Sequence, residues 1–262
     1  MKILSFDTST PTLSVALMHD GKVVAEKEVP PIENRQQAVS QLMPTIDSLV
    51  KSMGWEPKAL DLLVVGIGPG SFTGLRTCVV TGRTLAQALD RPIIGIDAFQ
   101  CYATRIDLPA AIVLSGGRGH YFVAGYSLSG AGPGNPEAAY AVCCNGLTLR
   151  WAESDGLLES LIEARCATAA ELPELLKDCS RIYCDPASIE ALNDSLSGCL
   201  PLPELTGIAV TQAQVAFRAH NLGHVDRESL LTLYSFQRVN PLYLRGASIT
   251  LKKTDVGQPE KN

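Results

Sequence analysis

Four residues near the start of the chain, Asp7-Thr8-Ser9-Thr10, follow the apolar run Ile3 to Phe6. Ligands of open α/β sheets gather at the C-terminal ends of strands, so an aspartate with hydroxyls beside it there can hold a hydrated cation or order water around a phosphate. The same residue types also close strand ends as Asx and ST turns, which require no ligand. A second candidate is G-I-G-P-G-S-F-T-G-L-R, Gly66 to Arg76. Backbone N–H groups at a helix start attract anions, and Ser71 or Thr73 can cap that helix. The Gly-Lys-Ser/Thr of a P-loop is missing, and the glycine spacing does not fit a dinucleotide fingerprint. Such glycines equally permit a tight, closely packed turn. Asp7, Thr8, Ser9, Gly68, Gly70 and Ser71 are the anion-binding candidates of this region.

Metal chemistry has weaker support. His220 and His224 are four residues apart, the spacing of a zinc pair on one helical face. Asn221 stands where a zinc peptidase places its general base, and Gly223 signals a helix end, where a protonated histidine favours the dipole. The expectation is therefore no metal. The eight cysteines (78, 101, 143, 144, 166, 179, 184 and 199) include no C-x-x-C pair and sit beside Val, Ala and Leu. They read as packed thiols of a reducing compartment, with the vicinal Cys143-Cys144 the one oxidation-sensing candidate.

These residues need elements to position them. Ile3 to Phe6, Leu13 to Met18 and Val23 to Glu26 are strand-like, and Asp20-Gly21 between the last two marks a tight hairpin. Gln37 to Met53 is an amphipathic helix on Val39, Leu42, Met43, Ile46, Leu49, Val50 and Met53, with Pro44 inside it and Gly54 as a stop. A buried strand (Leu62 to Ile67), a helix (Thr73 to Leu89) and another strand (Pro92 to Ile96) follow. A hairpin followed by β-α-β units requires a mixed sheet covered by helices. After Asp107-Leu108-Pro109 the pattern restarts. Strands are expected at Ala110 to Leu114, Tyr121 to Leu128 and Arg181 to Cys184, with a turn at Ser115 to Gly119 and a surface loop at Ser129 to Pro136. Helices are expected at Leu157 to Arg165, Ser188 to Leu196 and Thr211 to Leu222. The second half thus resembles a smaller, degenerate copy of the first in element order. The polar tail from Lys252 to Asn262 lacks an apolar anchor and is expected to fray.

With 262 residues, 46% of them hydrophobic and 19% charged, the chain has material for one large or two smaller cores and is not a disordered protein. No apolar run reaches the roughly 18 residues of a membrane helix, and Asp7 interrupts any signal-peptide core, so a cytoplasmic protein without a membrane partner is expected. A net charge of −5 disfavours autonomous nucleic-acid binding, which rests on phosphate contacts.

Two strings carry a likeness to a known family. D-T-S-T-x-x-x-S-V-A-L at Asp7 to Leu17 and G-P-G-S-F-T-G-L-R at Gly68 to Arg76 resemble the bacterial TsaB (YeaZ) group. That group belongs to the TsaD/TsaB family, which is glycoprotease-like and M22-type within the ASKHA superfamily. Leu42 to Ile46, Asp61 to Gly66, Pro92 to Asp97 and Pro241 to Arg245 (P-x-Y-L-R) add to the likeness. It is carried by residues 1 to 105 and thins from 106 to 240.

The resemblance implies an actin-like (ASKHA, ribonuclease H-like) α/β fold of two related domains with mixed sheets covered by helices. The expected division is 1–107 (partner-binding), 108–207 (degenerate second domain), 208–225 (a helix returning toward the first domain) and 226–262 (extension and tail). It also implies a non-catalytic scaffold subunit of the machinery that makes N6-threonylcarbamoyladenosine at position 37 of tRNA. The implied partners are a catalytic TsaD-like homologue and a TsaE-like ATPase, with tRNA bound only through the complex and a homodimer when the partner is absent. No cofactor is expected on the chain alone, with ATP or ADP and Mg²⁺ confined to a subunit junction. The catalytic relatives bear two metal-binding histidines on the first-domain helix, whereas Arg35 to Leu42 contains none, and Val39 replaces the histidine of many relatives. No Ser/His/Asp arrangement supports a peptidase. The expected interface residues are Thr73, Arg76, Thr77, Val80, Thr81 and Thr84, with Leu42 and Ile46; Thr77, Val80, Thr81, Thr84, Leu85 and Ala88 of that helix are small and medium side chains suited to close helix contact. Where relatives carry D-A-R-x-x-E-V-Y, this chain has Ser115 to Phe122, and Ser115-Gly116-Gly117 is more like the phosphate-facing hairpin of the catalytic homologues. That supplies the competing reading, a nucleotide-binding ATPase or kinase using Asp7 and the Ser115–Gly117 hairpin.

Overall fold

The computed structural model describes residues 1–31, 35–130, 141–143, 147–149, 156–192, 194–205, 207–223 and 235–245. The chain opens with strands β1 (Lys2–Asp7), β2 (Leu13–His19) and β3 (Lys22–Val29), then α1 (Arg35–Ser52), β4 (Leu62–Gly66), α2 (Phe72–Leu89) and β5 (Ile93–Ile96). Their sheet has the order β3-β2-β1-β4-β5, with antiparallel pairing across β1-β2-β3 and parallel pairing across β1-β4-β5. The β2–β3 turn has Asp20 at φ 48° and Gly21 at φ 79°, the positive φ values that a two-residue hairpin turn demands.

A short helix α3 (Ala98–Ala103) leads into β6 (Ala110–Gly117) and β7 (His120–Gly130), followed by a small hairpin, β8 (Ala141–Cys143) and β9 (Leu147–Leu149). Then come β10 (Gly156–Thr168), α4 (Leu172–Leu176), β11 (Ile182–Cys184), α5 (Pro186–Leu192), β12 (Leu200–Pro201) and α6 (Ile208–Gly223). The second large sheet runs β10-β7-β6-β11-β12, with the first strand of the unit central, the next two antiparallel beside it and the last two parallel. This is the order of the first sheet repeated.

Alternation along the strands builds three apolar layers. Leu4 and Phe6 of β1, with Leu13, Val15 and Leu17 of β2, face α1 and α2. Ile3 and Met18 face the opposite way, into a layer that holds α3, α6 and one face of the second sheet through Ile112, Leu114, Phe122 and Ala124. Ala111, Val113 and Val123 point outward against Leu172 and Leu176 of α4 and Leu192 of α5. The order of layers is therefore α1/α2, first sheet, α3/α6, second sheet, α4/α5.

Three expectations are corrected. Leu157 to Arg165 is not a helix but most of β10, paired with β7. Its leucine, glutamate and alanine favour a helix locally, yet long-range pairing with β7 decides. Register shifts between Ser160 and Arg165 also put Ile162 on the outer core and Ala164 and Cys166 on the inner one. Such bulges break the period-2 pattern that would have announced a strand. Ser115, Gly116 and Gly117 belong to β6, and the turn itself is Arg118-Gly119, at φ 54° and 72°. Leu42 and Ile46, expected at an interface, are 1% and 5% exposed and packed in the layer between α1 and the sheet. A helix must bury one face, and these two are on it. The other helices differ only in their limits, α5 starting at Pro186 and α6 at Ile208. Cys144, His224, most of the Ser129 to Pro136 loop and the Lys252 to Asn262 tail lie outside the described residues, as does the side chain of His220.

Candidate functional site

The two motifs singled out in the sequence meet. β1 delivers Asp7 and β4 delivers Gly66 to the same end of the sheet, and the Gly68–Arg76 turn folds over the loop that follows Asp7. Ser71 N donates to Ser9 O at 2.8 Å, Thr8 Oγ1 donates to Gly74 O at 2.7 Å, and Ala98 N donates to Gly68 O at 2.7 Å. Ser71 is the N-cap of α2, its hydroxyl accepting from Gly74 N at 3.4 Å. A Cβ on Gly74 would stand 1.9 Å from Thr8 O, and one on Gly66 1.7 Å from Asp7 Oδ2. These two glycines are thus required for close approach between segments.

Asp7 is 1% exposed. Its Oδ1 accepts Ser9 N at 2.5 Å, an Asx turn, and its Oδ2 accepts Gln212 Nε2 from α6 at 2.6 Å. Burial pushes its carboxyl above the ordinary carboxylate range, partly offset by hydrogen bonds from Ser9, Gln212 and Thr10. Gln212 Oε1, also buried, has no hydrogen-bond partner among the described residues. Asp97 caps α3 nearby, accepting Gln100 N at 2.9 Å.

The Ser115–Gly117 segment stands on the second sheet, and its polar groups are also engaged from within. Ser115 N donates to Asp185 Oδ2 at 2.7 Å, and Asp185 Oδ1 accepts Ser188 N at 2.7 Å. Arg245 Nη1 donates to Gly117 O at 3.1 Å and Gly116 O at 3.4 Å. Chain groups therefore already bond to two of the candidate residues: Gln212 to Asp7, and the Asp185 carboxylate to the Ser115 amide. Among the described residues no three His, Cys, Asp or Glu side chains gather as a metal site. No described helix is long and apolar enough to cross a membrane.

Helix α2 has two faces. Leu75, Cys78, Val79 and Ala86 are buried on the sheet. Thr73, Arg76 and Thr84 are exposed, Val80 is 56% exposed, and Thr77 and Thr81 are half-buried beside them. The six α2 residues of the expected interface thus form one outward stripe, while Leu42 and Ile46 do not join it. Cys78, Cys101 and Cys184 are buried thiols and Cys166, Cys179 and Cys199 partly buried ones. Burial raises the Cys101 thiol further above its ordinary value, as does its neighbour Asp97.

Three of the engaging residues were missed in the sequence. Gln212 left one signal, a polar residue on the apolar side of an amphipathic helix. Asp185 before Pro186 was legible as a helix cap, but not as the partner of Ser115. Nothing local marks Arg245 as reaching the second sheet.

The family model described as TsaD, tRNA N6-adenosine threonylcarbamoyltransferase, matches residues 22–142. The chain is 37% identical over 103 residues to the tRNA threonylcarbamoyladenosine biosynthesis protein TsaB of Bacillus subtilis, covering 39% of this chain and 44% of that one. It is 35% identical over 103 residues to TsaB of Escherichia coli, covering 39% and 43%. The chain therefore spans less than half the length of these curated relatives in the matched region. Among solved structures, YeaZ from Pseudomonas aeruginosa superposes with a TM-score of 0.57 at 21% identity, covering 87% of this chain and 97% of that one. A protein with similarity to peptidase YeaZ from Pseudomonas aeruginosa reaches 0.62 at 19% identity, covering 93% and 99%. These two share the fold, two mixed sheets with helices. About two-fifths of the chain is thus similar in sequence to curated TsaB proteins, and its fold is similar to that of the YeaZ structures.

Proposed function

We propose that the chain is a non-catalytic subunit in the biosynthesis of tRNA N6-threonylcarbamoyladenosine, pairing through the outward face of α2 with a TsaD-type catalytic subunit. The observation that carries this reading is the α2 stripe: Thr73, Thr77, Thr81 and Thr84 present small side chains along a single helix, with Arg76 and the exposed Val80 among them. Small residues let a second helix approach closely, and a symmetric pairing of the same face is the natural state when the partner is missing. The internal occupation of Asp7 and Ser115 supports a role without chemistry of its own, leaving ATP or ADP and Mg²⁺ to a junction between subunits and recruitment of a TsaE-type ATPase to the assembly. The net charge of −5 supports tRNA contact through the partner. In this reading residues 1–107 are the partner-binding domain, 108–207 the second domain, 208–225 the helix that returns to the first, and 226–262 the extension and tail; the working place is the cytoplasm.

Co-purification of the full chain with a TsaD-type protein tests the proposal. A complex at micromolar concentration that is lost in Val80→Arg is expected. No complex with the unaltered chain, or a complex indifferent to Val80→Arg and Thr77→Arg, overturns the α2 assignment.

A further inference from the structure

The segment from Ser235 to Arg245 crosses the carboxyl end of the first sheet. Phe236 and Val239 are seated in the outer layer with Ile67 and Ile93, Val239 fully buried. Leu242 N donates to Ile67 O at 2.8 Å, just beyond the last residue of β4. Tyr243 stacks on Phe72, the first residue of α2, with ring centroids 4.9 Å apart and planes 27° from parallel. Leu244 enters the layer between the sheets, and Arg245 ends on the carbonyls of Gly116 and Gly117 at the β6–β7 hairpin. Seven residues, Val239 to Arg245, thus run from the outer face of one sheet to the edge of the other.

That path crosses the carboxyl end of the sheet's strands, the side on which open α/β sheets ordinarily take a ligand. We propose that residues 239–245 are a built-in strap that covers this end of the sheet and fixes the first sheet against the β6–β7 hairpin, with Arg245 as its fastening. The inner anchor is apolar and permanent, because Val239 has no exposed surface to lose. The outer anchor is a guanidinium with two backbone carbonyls of the β6–β7 hairpin among its partners, and this polar, partly exposed end releases first. The device does not depend on the identity of any partner, so it stands or falls separately from the α2 pairing.

Amide hydrogen exchange read by NMR on the full chain tests it. In the unaltered protein the Leu242 amide should exchange as slowly as the β4 amides; exchange at the rate of an exposed loop overturns the strap without any variant. In Arg245→Ala the amides of Leu242 and of Gly116 to Arg118 should exchange about tenfold faster, with β1 amides unchanged. Arg245→Lys, which keeps a donor for one carbonyl, should recover part of that protection. Unchanged exchange at both ends in Arg245→Ala overturns the fastening role.

Discussion

Asp7 holds the site end of the molecule together by accepting hydrogen bonds while sealed from water. Because burial raises its pKa, the folded state holds the proton above the ordinary carboxylate value of about 3.9, where the unfolded chain has lost it. Stability contributed by this group therefore falls as pH rises from about 4 through the raised native value, then levels off. Asp7→Asn removes that slope, and the amide's N–H can use the unpartnered Gln212 Oε1; urea midpoints between pH 4 and 8 should be flatter than in the unaltered protein. Gly74 makes a different demand. With Thr8 O only 1.9 Å from an added Cβ, Gly74→Ala should cost about 3 kcal/mol through displaced backbone. Ser71→Ala, which removes only the cap, should cost about 1 kcal/mol. Parallel urea titrations rank the two, and equal costs would remove the case for close packing.

Among elements, α2 is informative because one of its faces is buried on the sheet and the other is exposed. Val80 is 56% exposed and Leu42, on α1, is 1% exposed. Val80→Arg should leave stability within about 0.5 kcal/mol while abolishing partner binding, whereas Leu42→Asp buries a charge and should prevent folding. Thermal melting and co-purification together separate these outcomes. Strand β10 carries the opposite lesson. Its composition favours a helix, and pairing with β7 makes it a strand in spite of the register shifts around Ile162. Its Ala164 and Cys166 are needed on the inner layer, a demand that no neighbour in sequence announces.

The whole molecule is organised around the layer between its sheets. Phe99 of α3 is fully buried there, with residues of both sheets and α6 in the same cluster. Phe99→Ala should therefore cost about 3 to 5 kcal/mol, and far-UV and near-UV signals should still change in one transition. Two separate transitions would mean that each sheet folds as an independent unit. The repeat of the same strand order in both sheets explains how one chain supplies two flat faces to a shared interior.

The first sheet with α1 and α2 was the legible part. Its alternation, its Asp20-Gly21 turn and its α1 and α2 periodicities are local signals, so composition and spacing sufficed for strands, helices and a mixed sheet. Asp7-Thr8-Ser9 and Gly68–Arg76 were each legible as strand-end motifs, with a ligand-free reading beside the functional one, but not as motifs that meet. What tertiary structure alone decided is which groups face those motifs. Gln212 is 205 residues from Asp7, Asp185 is 70 from Ser115, and Arg245 is 128 from Gly117. Hydrogen bonds at such separations have no sequence period, because they depend on how whole layers stack rather than on the path of the chain between them. For the same reason Leu42 and Ile46 could be recognised as one apolar face of α1, while whether that face met a partner or the sheet was settled only when the sheet was in place.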